Sequence, residues 1–167
     1  MTNTNDNSRN GKRIEGSESP EKHAYTVWEK IVQPANAKTI AVVAHSYGGH
    51  VAGALSNKYS EDFESKVIAV ALTDSVHGSR DLNPRLSKIG INFVSSHDPL
   101  GTPQENYNND MPRVSAGHPK HEMTSYSCME ALFEFLEKRF EEERGSGDGK
   151  EAGSESPESK KQKTDEL

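Results

Sequence analysis

The sequence is poor in cysteine and in long apolar runs. Cys128 is the single cysteine among 167 residues, so no intramolecular disulfide and no cysteine-based metal site can form. No stretch approaches the roughly 20 apolar residues that cross a bilayer. Residues 1–10 have neither the basic nor the apolar region of a signal peptide. We therefore expect a soluble chain, with no membrane contact, that depends on side-chain burial for its stability.

The sequence also lacks a concentration of positive charge. It carries 20 basic and 26 acidic side chains, a formal net charge of −6. Most of this excess lies in residues 141–167, where nine acidic residues face five basic ones. The central part is close to neutral and has no Lys/Arg cluster, which argues against direct binding of duplex nucleic acid. We expect any link to RNA to run through a protein partner.

Apolar residues are scarce at both ends of the chain. They make up 31% of the whole sequence but are nearly absent from residues 1–21 and 141–167. Such segments cannot bury enough surface to offset the entropy lost on ordering. The composition therefore predicts one domain over residues 22–140 between two disordered tails.

The central segment alternates between strand and helix patterns. Ser19-Pro20 marks the start of a first helix, with a hydroxyl cap followed by a proline. Apolar runs typical of strands buried on both faces lie at 39–44 and 66–72, a third strand is predicted at 90–96, and a short fourth at 113–116. Helical spacing follows at 47–59, in weaker form at 82–89, and at 129–140. This alternation predicts an α/β fold with about four parallel strands and flanking helices.

The first strand runs directly into a serine motif. Ala44-His45-Ser46-Tyr47-Gly48 matches G-x-S-x-G with alanine in place of the first glycine. Small neighbours are needed because such a serine occupies a strained turn between strand and helix. The motif predicts Ser46 as a nucleophile, with the backbone N–H of Tyr47 as an oxyanion donor.

A serine nucleophile needs a base, and the base needs an orienting acid. Ser46, Asp98 and His121 follow the chain order of α/β-hydrolases, and each comes just after a predicted strand. Asp98 is preferred because it follows the penultimate strand, and His121 because it precedes the last helix. Asp74 is the alternative acid and His118 the alternative base.

Structural interpretations of the same residues stay open. Ser46 also suits a tight helix entry, Asp98 an Asp-Pro turn, and His121 a capping or packing position. A metal site built from His97, His118, His121 and Asp98 is a further alternative, although it lacks the spacing of a known metal cage. Nothing in the sequence predicts a cofactor.

Four separated motifs resemble one family, that of argonaute-binding protein two and its animal relatives, the cotranscriptional regulators. They are VAHSYGG at 43–49, VIAVALTDSVH at 67–77, SSHDPLGTP at 95–103 and PRVSAGHPKHEMTS at 112–125. The resemblance implies an α/β-hydrolase-like fold and a role tied to Argonaute proteins. In fungi that role is small-RNA-directed heterochromatin formation, and in animals it is chromatin-linked control of splicing.

By position, the family's serine, acid and histidine fall on Ser46, Asp98 and His121. The complete fold of this kind has about eight strands and takes a second oxyanion donor from a loop near its start. Only four strands are recognisable here, which correspond to the carboxyl-terminal half. The strand at 39–44 then becomes an apolar sheet edge, which favours association. We expect either a partner chain that completes the sheet or a truncated product.

The chain ends in Lys163-Thr164-Asp165-Glu166-Leu167, close to an endoplasmic-reticulum retrieval signal. Without a signal peptide that signal would not meet its receptor, and lysines 160, 161 and 163 suggest nuclear import instead. We expect a protein of the nucleus or the cytoplasm. The sequence favours a regulator that acts through Argonaute-type, chromatin or splicing partners. The alternative is a serine hydrolase acting on esters or related acyl groups.

Overall fold

The structure is a computed structural model that describes residues 14–78, 82–106 and 111–148. Its centre is a four-stranded sheet in which every neighbouring pair is parallel, in the order β1-β2-β3-β4. The strands are Ile40–His45 (β1), Val67–Thr73 (β2), Gly90–Val94 (β3) and Arg113–Ser115 (β4). The predicted α/β class and the four parallel strands are confirmed.

Six α-helices flank this sheet within the described residues. They are Pro20–Val27 (α1), Gly48–Lys58 (α2), Ser60–Ser65 (α3), Pro84–Ile89 (α4), Thr124–Ser127 (α5) and Met129–Asp148 (α6). The cap predicted at Ser19 forms, because its hydroxyl accepts from the Lys22 N–H at 3.2 Å. The first helix then continues as a π-helical turn, Trp28–Val32. None of these helices has the length and apolarity needed to cross a bilayer.

Strand β2 is the centre of the core, and all seven of its residues are buried. Alternate side chains point to opposite faces of a strand, so β2 contributes to an apolar cluster on each side. On one face, Val70 and Leu72 pack among the residues of α1 to α4. On the other face, Ala71 packs with Leu132 and Leu136 of α6. Burial on both faces explains why β2 is a continuous apolar run.

The apolar cluster beside α1 contains a pair of stacked aromatic rings, and a hydrogen bond holds one of them in place. Trp28 stacks on the fully buried Phe63, with ring centroids 5.3 Å apart. The Trp28 indole N–H donates to Asp62 at 3.0 Å, which satisfies its one polar group. Helix α3, which supplies Phe63 and Asp62, was not predicted from the sequence.

The two edges of the sheet differ. Residues 101–104 cover β4: the Ser115 N–H donates to Thr102 O at 2.8 Å, and the Gln104 N–H donates to Arg113 O at 2.9 Å. At the opposite edge, β1 pairs with β2 on one side and with no other strand of the described residues. Within the described residues, β1 thus lies at one edge of the sheet.

Ordered structure reaches further into both predicted tails than the composition indicated. The Thr26 hydroxyl donates to Gly16 O at 2.7 Å, and the Ser17 hydroxyl bonds the His23 ring at 2.6 Å. The segment before α1 is therefore bound to that helix. Helix α6 extends beyond the predicted boundary at residue 140, to Asp148. Residues 1–13 and 149–167, including the retrieval-like end and the lysines before it, lie outside the described residues.

We predict that Leu72→Ala lowers the free energy of unfolding by about 2–5 kcal/mol, because Leu72 is fully buried and the change leaves a cavity. Ile31→Ala is the matched control, since Ile31 is 64% exposed, and it should change stability by less than about 0.5 kcal/mol. Urea titration followed by circular dichroism measures both. Equal unfolding midpoints would contradict the packing described for β2.

Candidate active site

Ser46 occupies a strained turn between β1 and α2. Its φ is +54°, in the left-handed region that residues with a Cβ rarely adopt. Three backbone hydrogen bonds hold it there. Its N–H donates to Thr73 O at 3.0 Å, and its carbonyl accepts from Gly49 at 3.0 Å and from Val76 at 3.1 Å. The motif predicted such a turn, and the structure places Ser46 in it.

Gly49 has a specific steric reason to be glycine. A Cβ at this position would overlap the Ser75 hydroxyl, which comes from the loop after β2. Ser75 is itself hydrogen-bonded to the His77 ring at 2.5 Å. The close approach of α2 to this loop therefore depends on a residue without a side chain, and it holds the Ser46 turn against the end of β2.

His121 and Asp74 form the Asp–His pair of the site. The His121 Nδ1 lies 2.7 Å from an Asp74 carboxylate oxygen, and the other oxygen accepts from the Ser95 N–H at 3.0 Å. Asp74 also has a left-handed backbone, with φ +43°. Burial alone would raise the pKa of Asp74, but the hydrogen bonds from Ser95 and His121 outweigh it and hold this pKa below its usual value.

Asp98, the acid that its place after the penultimate strand favoured, does not contact His121. Its exposed carboxylate accepts from Gln104 Nε2 at 2.8 Å and from the Ser96 hydroxyl at 3.1 Å. The hydrogen bond from Gln104 and, to a smaller extent, the one from Ser96 lower the pKa of Asp98. Asp98 therefore organises its own loop, because the turn after β3 directs its carboxylate to Gln104. The geometry favours the alternative acid, Asp74, which follows the central strand β2.

The histidine alternatives are also separated by the structure. The Nδ1 of His118 accepts from the backbone N–H of Lys120 at 3.1 Å, so this nitrogen is used within its own loop. Among the described residues a carboxylate contacts His121 and none contacts His118, which favours His121 as the base. Within the part of the chain that is described, His97, His118, His121 and Asp98 do not gather into a group that could hold a metal ion.

His45, Thr73 and Ser125 belong to the site and were not predicted. The His45 Nδ1 lies 2.9 Å from Thr73 O, and its ring is 4.7 Å from the His121 ring. A carbonyl oxygen only accepts hydrogen bonds, so this nitrogen of His45 carries a proton. The Thr73 hydroxyl bonds that of Ser125 at 2.7 Å, which ties α5 to β2. The one sequence signal was that His45 precedes the motif serine.

The hydroxyl of Ser46 makes no hydrogen bond to any of the described residues, His121 included. Tyr47 lies at the N-cap of α2, which puts its backbone N–H at the positive end of the helix. Its phenol donates to Glu21 at 2.7 Å. The structure thus brings together a strained serine, a helix N-terminus and an Asp–His pair, and it leaves the contact between serine and imidazole unformed.

These features define an α/β protein with a serine turn and an Asp–His pair at the carboxyl edge of a parallel sheet. The family model described as the Arb2 domain matches residues 1–100, and the chain belongs to this family. The family resemblance found in the motifs is thereby confirmed.

Curated relatives point the same way. The chain is 42% identical over 130 residues to the cotranscriptional regulator ARB2A homolog of Xenopus tropicalis, covering 74% of this chain and 31% of that protein. Identity to cotranscriptional regulator ARB2A is 41% in Mus musculus and 40% in Homo sapiens. Each alignment spans 124 residues, 71% of this chain and 30% of the relative. The chain spans about a third of the length of these relatives. No solved structure matches it significantly.

We predict that Asp74→Asn destabilises the fold at neutral pH and that this difference disappears in acid. The lowered pKa of Asp74 means that the carboxylate contributes stability above its unfolded pKa, and that this stability is lost as pH falls through the folded pKa. Urea midpoints of wild type and variant, measured from pH 7 downward, should therefore draw together as the pH falls below the unfolded pKa of Asp74.

Asp98→Asn is the matched control for this titration. Asp98 also has a lowered pKa, but its carboxylate is exposed, so the gap at neutral pH should be smaller. A gap for Asp74→Asn that stays constant across the pH range would contradict a folded-state pKa of Asp74 below its unfolded value.

Proposed function

We propose that this chain acts in cotranscriptional regulation by binding protein partners of the Argonaute, chromatin or splicing-factor type. The observation that carries this proposal is membership of the Arb2 domain family together with about 40% identity to proteins named cotranscriptional regulators. The specific roles that we propose within this activity are small-RNA-directed heterochromatin formation and chromatin-linked splicing control. We propose the nucleus or the cytoplasm as its location.

The surface of the domain suits protein partners better than nucleic acid. The exposed large apolar side chains include Tyr126 of α5, which is 73% exposed. Tyrosine combines a large apolar ring with a polar tip and is enriched among residues that anchor protein interfaces. The central part of the sequence contains no cluster of Lys and Arg residues that could bind the phosphates of a duplex. We therefore take Tyr126 as a candidate anchor for a protein partner.

Affinity capture with the full chain as bait, followed by detection of Argonaute proteins, tests this proposal. We expect Argonaute to be enriched over beads alone, and Tyr126→Glu to reduce the enrichment at least fivefold. Ile31→Glu changes another exposed apolar residue, 64% exposed and outside α5, and should leave capture unchanged. Absence of enrichment in nuclear and cytoplasmic extracts alike would count against Argonaute as the partner.

A second candidate function, acyl hydrolysis, is favoured by the left-handed Ser46 and the 2.7 Å bond between His121 and Asp74. In this proposal Ser46 attacks the acyl carbon, the carbonyl π-bond opens to an oxyanion, and the serine proton passes to the second nitrogen of His121. His121 then gives this proton to the leaving alcohol as the acyl–oxygen bond breaks, and a water molecule hydrolyses the acyl-enzyme by the same route. Asp74 holds the other nitrogen, and the Tyr47 N–H stabilises the oxyanion. The serine and the imidazole must first come within hydrogen-bond reach, and this contact is often loose in unliganded sites.

Labelling with a fluorophosphonate probe tests the hydrolase proposal, because the probe reacts with activated serines. We expect labelling that is abolished by Ser46→Ala and reduced at least tenfold by Asp74→Asn. Ser75→Ala and Asp98→Asn should both retain it. Undiminished labelling of Ser46→Ala would exclude Ser46, and an unlabelled but folded wild type would exclude the activity.

A further inference from the structure

Two histidine rings are in contact at the carboxyl edge of the sheet. The centroid of the His45 ring lies 4.7 Å from that of the His121 ring, and the two planes are tilted by 35°. His45 is the last residue of β1, directly before Ser46, and His121 opens the short helical turn His121–Met123 before α5. The contact therefore joins the strand that carries the serine turn to the segment that carries the imidazole of the Asp–His pair.

The ring of His45 is fixed from the core of the sheet. Its Nδ1 lies 2.9 Å from Thr73 O and 3.0 Å from the Thr73 hydroxyl. The Ser125 hydroxyl lies 3.4 Å from the same nitrogen. Thr73 is 1% exposed and ends the fully buried strand β2, so His45 is attached to the most buried strand although it is itself exposed. With one edge bound in this way, the ring keeps one orientation toward His121.

The ring of His121 is less firmly held by its own contacts. Its side chain is 45% exposed, and one of its nitrogens is bound to Asp74 at 2.7 Å. The fully buried Thr124 holds the backbone of this residue, because its hydroxyl donates to His121 O at 2.8 Å. The χ2 angle of a histidine has broad wells, so a single hydrogen bond restricts rotation of the ring only weakly. Packing against a second ring restricts that rotation further.

We propose that His45 is a positioning residue that keeps the His121 ring oriented toward Asp74. An ionised carboxylate only accepts hydrogen bonds, so the oriented ring is the tautomer that carries its proton on Nδ1. The second nitrogen of His121 is then available to take the serine proton. This role rests on the second proposed function, acyl hydrolysis, because it is there that the orientation of His121 affects the chemistry.

The size of the effect follows from the kind of contact. Aromatic rings packed at this distance stabilise one arrangement beyond simple burial, enough to shift a choice between two orientations about twofold to tenfold. The loss on removing His45 should therefore be far smaller than the loss on removing the nucleophile or the base. His45 acts through His121, and no contact with substrate is required of it.

Correlation spectra of the full chain labelled with ¹⁵N-histidine test the proposal without any reaction, because they show which ring nitrogen carries the proton. The signals of His121 are those missing from His121→Gln. At about pH 8, where histidine rings are ordinarily neutral, we expect wild-type His121 to carry its proton on Nδ1. The share of the other tautomer should rise about twofold to tenfold in His45→Ala. His97→Ala removes an exposed histidine from the loop after β3 and should leave that share unchanged.

Two further variants separate the ring of His45 from its attachment to Thr73. His45→Phe keeps an aromatic ring without a hydrogen-bond donor, whereas His45→Asn keeps a donor near the place of Nδ1 without the ring. We expect His45→Phe to restore most of the wild-type tautomer balance of His121 and His45→Asn to resemble His45→Ala. Circular dichroism shows whether each variant folds.

The rate of fluorophosphonate labelling is the functional counterpart. His45→Ala should slow the labelling of Ser46 about twofold to tenfold, and His45→Phe should recover it. An unlabelled, folded wild type in which His45→Ala still shifts the tautomer of His121 would exclude hydrolysis and support the positioning role.

Two results would overturn the positioning role, whatever the labelling shows. One is a tautomer balance of His121 that is the same in wild type and in His45→Ala. The other is recovery of that balance by His45→Asn and not by His45→Phe, which would assign the effect to the hydrogen bond with Thr73 instead of the contact between the rings.

Discussion

The end of β2 at Thr73 is the point on which the rest of the site depends. Thr73 is 1% exposed, and its carbonyl accepts from the Ser46 N–H and from the His45 ring. Its hydroxyl is hydrogen-bonded to that of Ser125 in α5. Asp74, the next residue, binds His121. Because β2 is buried along its whole length, this anchor is rigid, and the serine turn and the imidazole take their positions from it.

The elements that the sequence predicted well are those with a strong local signal. Strand β2 appears as an apolar run because it is buried on both faces, and Ser19-Pro20 marks the first helix through a cap. Helix α3 has the polar sequence SEDFES, and Phe63 is its one buried residue. A six-residue helix that buries one side chain has no periodicity to detect. Packing against Trp28 and Tyr59 defines it instead.

The turn at Ser46 was predictable from the sequence, whereas the acid that contacts His121 was not. A short motif encodes the Ser46 turn because the strain is local, whereas Asp74 and Asp98 both follow strands and both satisfy the chain order. The two differ in where their carboxylates point. The carboxylate of Asp74, whose φ is +43°, contacts His121, whereas that of Asp98 contacts Gln104. His45 and Ser125 are 80 residues apart, and their contact arises only from the fold.

Two left-handed residues at adjacent strand ends are costly, at about 1–3 kcal/mol each, and a simple connection between strand and helix does not need them. The hydrogen bonds around Ser46 and Asp74 maintain this strain, which is typical of sites that bind or react. Strand β1 ends at His45, directly before Ser46. The serine turn is therefore held by β1 on one side and, through the Thr73 carbonyl and the Val76 N–H, by the end of β2 and the loop after it on the other.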